Sequence, residues 1–220
     1  MYYVCMYFLF FIVSMDRLVL EVERAVAKIL QFAGQSASKV YLCGHSAGAH
    51  LASMMLFVNF NAKYGAMCCN ENLAGLILVS GCFNLEPLLR TDVNDNLRMN
   101  TEMARQMSPM MMLIEKKCLK LYSGLKILIC YGRHESPAFI EQSKEFARLL
   151  TDTRHNFRHV KLIGIDADHF DVIENLRSDD FILTKVSSNY VFSNLTKHPF
   201  GSIKRSNNKN QHLNPITIFS

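Results

Sequence analysis

The feature that most constrains the fold of this chain is a junction between a strand-like and a helix-like segment. Residues 40–43 are apolar in the manner of a buried strand, and the pentapeptide GHSAG follows at 44–48. A helical pattern begins at about residue 47 and continues to about 60. Gly-x-Ser-x-Gly between a strand and a helix is typical of a nucleophile elbow, which displays a serine at the carboxyl edge of a sheet.

Each position of this pentapeptide has a physical reason. The predicted elbow holds Ser46 in a strained backbone geometry, so that its hydroxyl is exposed at the tip of the turn. Side chains at Gly44 and Gly48 would crowd the turn and the elements beside it. His45 and Ala47 complete the elbow, and the backbone N–H of Ala47 is placed to bind a developing oxyanion.

The rest of the chain alternates helix-like and strand-like segments. Three apolar runs bounded by turn residues predict further buried strands, at 73–81, 125–132 and 157–165. Helical spacing of apolar residues predicts the helices, at 15–33 with Gly34 as its stop, 136–150, 169–176 and 179–186. Helical stretches near 95–106 and 109–121 indicate an insertion over the sheet. This alternation predicts an α/β fold with a mostly parallel sheet.

A serine nucleophile needs a base, and the base needs an acid to orient it. In hydrolases with this elbow the chain order is serine, acid, histidine. The loop that follows the strand ending at Gly132 offers one carboxylate, Glu135, and the loop after the last strand supplies His169. We therefore predict Ser46 as nucleophile, Glu135 as acid and His169 as base.

Other polar side chains near these positions have simpler interpretations. Asp166 and Asp168 are rivals for the acid, but they lie beside the histidine and are better read as helix N-caps. His45 and His50 flank the nucleophile, where packing or lining of a pocket is the favoured role. Ser143, in the helix after Glu135, is predicted to be a solvated or capping hydroxyl.

Cysteine spacing and charge exclude several classes of protein. The seven cysteines lack Cys-x-x-Cys spacing and are odd in number, which indicates reduced thiols in the cytoplasm and argues against zinc. Residues 1–180 carry 19 basic and 19 acidic side chains, so the net charge of +5 lies in residues 181–220. No motif supports a nucleic-acid partner. Residues 187–220, rich in Ser and Asn, predict a basic, disordered tail, and no metal or organic cofactor is predicted.

The first thirteen residues, MYYVCMYFLFFIV, carry no charged side chain. They lack the basic start and cleavage site of a signal peptide, and a membrane span needs about 20 apolar residues. A buried strand is the favoured interpretation, while a signal-like or membrane-associating segment and a non-native sequence remain alternatives. We predict one domain over residues 1–186, of which 1–15 form an atypical apolar segment, and expect no membrane partner.

Four segments in order resemble the kynurenine formamidases, also called arylformamidases: GHSAGAHL (44–51), SGCFNLEPL (80–88), SPAFIEQSKEF (136–146) and DHFDVIENL (168–176). The similarity spans roughly residues 16–188. It implies an α/β-hydrolase that lacks the first strands and hydrolyses N-formyl-L-kynurenine to L-kynurenine and formate in tryptophan catabolism.

The resemblance also assigns residue roles. Ser46 and His169 match the nucleophile and base of the family, and Glu135 stands where the family usually has aspartate. The longer acid would shift the imidazole unless its loop compensates.

The family's second oxyanion donor comes from an H-G-G loop after an early strand, and no such motif occurs before Gly44. In the family sheet, the elbow strand pairs with the strand that precedes this loop. We therefore expect a chain shortened at its N-terminus relative to the family, in which residues 1–13 fill that place or an edge stays open.

Losing one oxyanion donor costs about 10²–10³-fold in rate. Two alternatives to a formamidase therefore remain open. One is a short-chain carboxylesterase of broad substrate range, and the other is a catalytically silent truncated product that acts as a binding module. The predicted partner is a small molecule, an aryl formamide or short acyl ester, and a homodimer is compatible with the sequence.

Overall fold

The computed structural model describes residues 2–6, 14–36, 38–115, 122, 124–152, 155 and 157–192, and for residues 2–6 and 188–192 it describes the backbone alone. Most of the predicted tail, from residue 193 onward, therefore lies outside the described residues, as do residues 7–13 of the apolar N-terminal run.

Strands and helices alternate along this described chain. The strands are β1 (Tyr2–Met6), β2 (Val40–His45), β3 (Leu73–Val79), β4 (Lys126–Gly132) and β5 (His159–Ile165). The helices are α1 (Met15–Gln35), α2 (Ala47–Met54), α3 (Phe60–Tyr64), α4 (Val93–Leu97), α5 (Thr101–Gln106), α6 (Pro109–Glu115), α7 (Pro137–Thr151), α8 (Asp171–Glu174) and α9 (Ile182–Phe192). Short 3-10 turns occur at Met55–Phe57, Asn70–Asn72, Glu86–Arg90 and Asn175–Arg177.

All five strands form one parallel sheet in the order β1-β2-β3-β4-β5. Strand β1 lies beside the elbow strand, with Tyr2 opposite Val40 and Met6 opposite Gly44. Part of the apolar N-terminal run thus takes the place next to the elbow strand, the first of the two arrangements expected from the sequence. The alternating strands and helices confirm the α/β prediction.

The central strands β3 and β4 are buried on both faces of the sheet, since successive side chains of a strand point to opposite sides. In β3, Leu76 and Leu78 belong to the core on one face, while Ile77 and Val79 belong to the core on the other. Helices α1, α2 and α7 contribute to the first core, and α9 contributes Leu183 to the second. This two-sided burial explains why β3 and β4 read as continuous apolar runs.

Helix α1 follows its predicted amphipathic pattern, with Val26, Leu30 and Ala33 fully buried. The predicted stop, Gly34, instead lies in its last turn. A Cβ at this position would lie 2.6 Å from the carbonyl oxygen of Met67, so the glycine permits a close approach of two backbones. None of the described helices combines the length and apolarity needed to cross a bilayer.

The predicted insertion after β3, here called the cap, covers residues 84–115 of the described chain and includes α4, α5 and α6. It lies over the carboxyl end of β2, because its residues Leu85, Leu88 and Leu97 line one cavity with Ser46. Its core is a separate apolar cluster, which contains Met15, Leu18, Leu51, Leu85, Leu97, Met99 and Ala104. Helix α6 ends at Glu115. Residues 116–121, the rest of the helix predicted over 109–121, lie outside the described residues.

The helix predicted over residues 47–60 is broken. Helix α2 ends at Met54, and a 3-10 turn leads to a new start at Asn59, whose side chain accepts a hydrogen bond from the backbone of Ala62.

Candidate active site

Ser46 lies at the turn between β2 and α2. Its backbone has φ 53° and ψ −116°, a conformation that L-residues rarely adopt, and its N–H donates to the carbonyl of Val79 at 2.9 Å. A Cβ on Gly44 would lie 2.2 Å from the carbonyl oxygen of Gly48. The sequence therefore folds into this sharp turn because position 44 carries no side chain.

Glu135 follows β4, and its side chain is fully buried. Its Oε1 accepts hydrogen bonds from the backbone N–H of Gly132, at 3.0 Å, and from the hydroxyl of Ser80. Burial alone would raise the pKa of this carboxyl, but the neighbouring His169, Ser80 and Gly132 outweigh it and hold the pKa below its ordinary value. The carboxylate is thus the favoured form.

His169 lies just before α8, at the end of the loop that follows β5. Its Nδ1 lies 3.6 Å from Glu135 Oε2, and neither atom has a hydrogen-bond partner among the described residues. The ring contacts His45, Phe139 and Phe170, with centroids 4.6, 4.5 and 5.4 Å away. Catalytic hydrogen bonds are often long before a substrate binds, so this separation is compatible with an acid–base pair.

His45 connects the elbow to the loop that carries His169. Its Nε2–H donates to the backbone carbonyl of His169 at 2.8 Å. Burial, followed by the neighbouring His169 imidazole, lowers the pKa of His45. The neutral ring therefore holds the loop in place, which agrees with the packing role predicted for it.

An apolar cavity of about 160 Å³ opens beside Ser46. Its lining comes from α1, the elbow, the cap and α7: Met15, Leu18, Ser46, Ala47, His50, Leu51, Cys82, Leu85, Leu88, Val93, Leu97 and Phe139. Ala47 is the first residue of α2, where backbone N–H groups have no acceptor within the helix. This end of the cavity can therefore offer a hydrogen-bond donor beside the serine.

Two polar side chains of this lining are held neutral. His50 is fully buried, donates from Nε2 to the carbonyl of Met107 at 2.7 Å, and has its pKa lowered by burial to about 4. Burial raises the pKa of Cys82 to about 11, although a hydrogen bond with the Ser46 side chain opposes this shift. Among the described residues, no group of three His, Cys, Asp or Glu side chains could hold a metal ion.

The rival residues Asp166 and Asp168 have partners other than His169. Asp168 Oδ1 accepts from the backbone N–H groups of Phe170 and Asp171, both at 2.8 Å, as expected of a helix cap. Asp166 instead pairs with His134 at 2.7 Å on the surface, so the N-cap prediction for it is wrong.

The prediction for Ser143 is wrong. Its side chain is buried, and its hydroxyl has no hydrogen-bond partner within the described part of the chain. Helix α7 turns this position toward the core, together with Phe146 and Leu150.

Sequence reasoning missed Ser80, whose hydroxyl contacts the acid. A signal for it exists in retrospect: Ser80 directly follows β3, and the carboxyl ends of parallel strands converge on one edge of the sheet.

Comparison with known proteins identifies relatives among the kynurenine formamidases. The chain is 35% identical to the Danio rerio kynurenine formamidase over 175 residues, which are 79% of this chain and 56% of that protein. It is also 35% identical to the Salmo salar kynurenine formamidase over 174 residues, which are 79% of this chain and 56% of that protein. This chain is a homologue of kynurenine formamidase. It spans a little over half the length of these curated relatives, and no protein-family model matches it.

Solved structures similar to this homologue of kynurenine formamidase agree on the fold. An acetyl ester-xyloside bifunctional hydrolase from Caldicellulosiruptor lactoaceticus superposes with a TM-score of 0.59 at 15% identity, covering 83% of this chain and 67% of that one. An esterase from Pyrococcus furiosus gives 0.51 at 14% identity, covering 84% and 64%. The chain therefore has the α/β-hydrolase fold.

Proposed function

We propose that this chain is a serine hydrolase that converts N-formyl-L-kynurenine to L-kynurenine and formate. The proposal rests on one combined observation. Ser46 stands on a strained elbow, Glu135 lies 3.6 Å from His169, and the His169 ring contacts that of His45 directly before the serine, in a chain 35% identical to curated kynurenine formamidases. A serine on such an elbow, with an acid and a histidine following in the chain, supports acyl transfer.

The first half of the reaction transfers the formyl group to the enzyme. His169 Nε2 takes the proton of Ser46 Oγ as this oxygen attacks the formamide carbon, and the carbonyl electron pair moves onto its oxygen. Glu135 stabilises the imidazolium from the Nδ1 side. When the C–N bond breaks, the aromatic amine leaves with the proton from His169.

The second half hydrolyses the formyl-serine ester. Water gives a proton to His169 and attacks the ester carbon, and Ser46 leaves with that proton as formate is released. In both halves the N–H of Ala47 donates to the oxyanion.

The cavity beside Ser46 suits the aromatic ring of such a substrate. A dry apolar cavity of about 150 Å³ in another protein binds benzene, and the cavity here measures about 160 Å³ with a mainly apolar lining. Phe139 belongs to this lining and contacts the ring of His169, so a bound aromatic group would lie next to the base.

We extend the proposal to tryptophan catabolism in the cytoplasm. Cys68, Cys69, Cys82 and Cys130 are free thiols within the described residues, which supports a reducing compartment. The homodimer stays a prediction from the sequence.

Replacing Ser46 with alanine tests the proposed reaction. Purified protein is assayed with N-formyl-L-kynurenine and with p-nitrophenyl acetate, beside the Ser46→Ala variant and a Ser178→Ala control at an exposed position. We expect formamide hydrolysis in the wild type and the control, and a loss of roughly 10³-fold or more in Ser46→Ala.

Ester hydrolysis without formamide hydrolysis would favour a short-chain carboxylesterase. No Ser46-dependent hydrolysis of either substrate by a cooperatively folded chain would contradict the proposal.

A further inference from the structure

Ser80 occupies a position equivalent to that of the nucleophile on the neighbouring strand. His45 and Val79 face each other in the register of β2 and β3, so Ser46 and Ser80 are the next residues of two adjacent strands. Both have positive φ, 53° and 50°. Backbone strain of this kind persists where surrounding structure enforces it, and it concentrates at functional sites.

The surroundings of Ser80 hold it firmly. Its backbone N–H donates to the carbonyl of Cys130 at 2.8 Å, which ties the end of β3 to β4. Its side chain is fully buried, and its hydroxyl donates to Oε1 of Glu135. The strained backbone thus directs this hydroxyl at the acid instead of at the solvent.

The two carboxylate oxygens of Glu135 have different surroundings. Oε1 accepts from Ser80 and from the backbone of Gly132, whereas Oε2 faces only His169 Nδ1, at 3.6 Å, among the described residues. Glutamate has one more rotatable bond than aspartate, so its carboxylate can take more positions. Two donors on one oxygen remove this freedom.

We propose that Ser80 is a positioning residue, which fixes Oε1 of Glu135 so that Oε2 is presented to His169. This inference rests on the proposed serine hydrolase function, and it explains how the longer acid serves in this loop. The hydroxyl supplies the compensation that a glutamate requires at a position suited to aspartate.

Electrostatics of the buried pocket support this role. Burial pushes the pKa of Glu135 upward, and the neighbouring His169, together with the hydrogen bonds from Ser80 and Gly132, lowers it. Among the described residues, the Glu135 carboxylate in turn acts to raise the pKa of His45 and of Cys82. Ser80 therefore favours the ionised acid as well as its orientation.

A double-mutant cycle tests whether Ser80 acts through Glu135. We expect Ser80→Ala to lower kcat roughly tenfold to a hundredfold with KM unchanged, the size of effect that a small misplacement of catalytic groups produces. In a Glu135→Gln background, the same change should cost little more. Ser143→Ala is the matched control, because this buried serine has no hydrogen-bond partner in the described chain. It should keep wild-type kcat.

Two further measurements keep the test independent of folding and of turnover. Ser80→Gly suits the positive φ and also removes the hydroxyl, so it should fold and should show the same loss of kcat. The low-field proton resonance of His169 Nδ1–H, seen when the imidazole donates to the carboxylate, should weaken or disappear in both Ser80 variants and persist in Ser143→Ala.

The outcomes separate the two proposals. Wild-type kcat in both Ser80 variants, additive losses with Glu135→Gln, or an unchanged resonance would overturn the role of Ser80. If the wild type shows no Ser46-dependent turnover, the proposed function fails, and the resonance alone then decides on Ser80.

Discussion

Two loops meet at Gly132, where the lack of a side chain lets Glu135 approach His169. A Cβ at this position would lie 2.4 Å from the carbonyl oxygen of Ala167, 2.8 Å from that of Asp168 and 3.0 Å from Glu135 Oε1. The same junction is joined by a hydrogen bond from the backbone of Arg133 to Ile165 at 2.7 Å. Gly132 therefore sets the distance between the loop of Glu135 and the loop of His169.

Gly132→Ala is expected to lower the free energy of unfolding by about 1–3 kcal/mol, the usual cost of forcing an extra carbon into a packed site. Urea denaturation measures this change. Gly124→Ala is the matched control, because a Cβ there meets no atom of the described residues within 4 Å, its chain neighbours apart. Equal stability of the two variants would show that the loops adjust without cost.

At the residue scale, the order serine, acid, histidine was enough to name Ser46, Glu135 and His169 as candidates. Ser80 and Gly132 could not be named in the same way. Their contacts with the acid depend on two strand ends lying side by side, and Ser80 is 55 residues from Glu135 in the chain.

Two buried histidines outside the cap form hydrogen bonds with backbone carbonyls of the cap. His50 in α2 donates to the carbonyl of Met107, directly after α5, and His155 donates to the carbonyl of Leu113 in α6, each at 2.7 Å. Carbonyl groups near helix C-termini need such donors, because they have no partner within the helix. Each of these two hydrogen bonds joins two distant parts of the chain through one imidazole ring.

Low pH should reduce the contribution of His50 to the free energy of unfolding. Its pKa is about 4 in the folded chain and about 6.5 when unfolded, so the unfolded state binds the proton first as the pH falls. Its contribution to stability is therefore complete above pH 6.5 and is lost between about pH 6.5 and 4, by up to about 3 kcal/mol.

Urea denaturation across this pH range, for wild type and His50→Gln, measures the effect. Glutamine keeps a donor but does not titrate, so the variant should show the weaker pH dependence. Identical slopes for the two proteins would contradict the assignment to His50.

The strands and long helices follow from local patterns, whereas the break after α2 does not. Asn59 caps α3 with an oxygen that also accepts from the side chain of Asn70 at 3.1 Å. The backbone N–H of Phe60 in turn donates to Asn70 Oδ1 at 2.9 Å. Such a polar cluster depends on tertiary placement, so periodicity alone predicted one continuous helix.

Across the whole molecule, burial is greatest at the centre of the sheet and falls toward β5. Leu76 in β3 is fully buried between α-helical layers and neighbouring strands, whereas Leu162 in β5 is 38% exposed. Within the described sheet, β5 pairs only with β4. Stability should therefore depend much more on the central strands than on this edge.

A matched pair of leucine substitutions tests this distribution. Leu76→Ala should cost about 2–5 kcal/mol in the free energy of unfolding, because it leaves a cavity in a packed core. Leu162→Ala should stay within about 1 kcal/mol, as expected near the surface. Chemical denaturation gives both values, and similar losses at the two sites would contradict this view of the sheet.

The α/β architecture was predictable because apolar runs and helical periodicity alternate along the chain. The place of β1 was not. The apolar N-terminal run was compatible with a strand beside the elbow strand and also with an open edge of the sheet. Only the pairing of β1 with residues almost forty positions away distinguishes these two arrangements. Long-range pairing of this kind leaves no local pattern in the sequence.

The sequential strand order has a consequence for synthesis on the ribosome. Each described strand pairs only with described strands next to it in the chain, so this sheet can grow from β1 toward β5 as residues emerge. Ser46 and His169 are 123 residues apart, which corresponds to about 6–25 s at the usual elongation rates of 5–20 residues per second. The proposed nucleophile is thus made well before the proposed base, and we expect the nascent site to stay inert until β5 has paired.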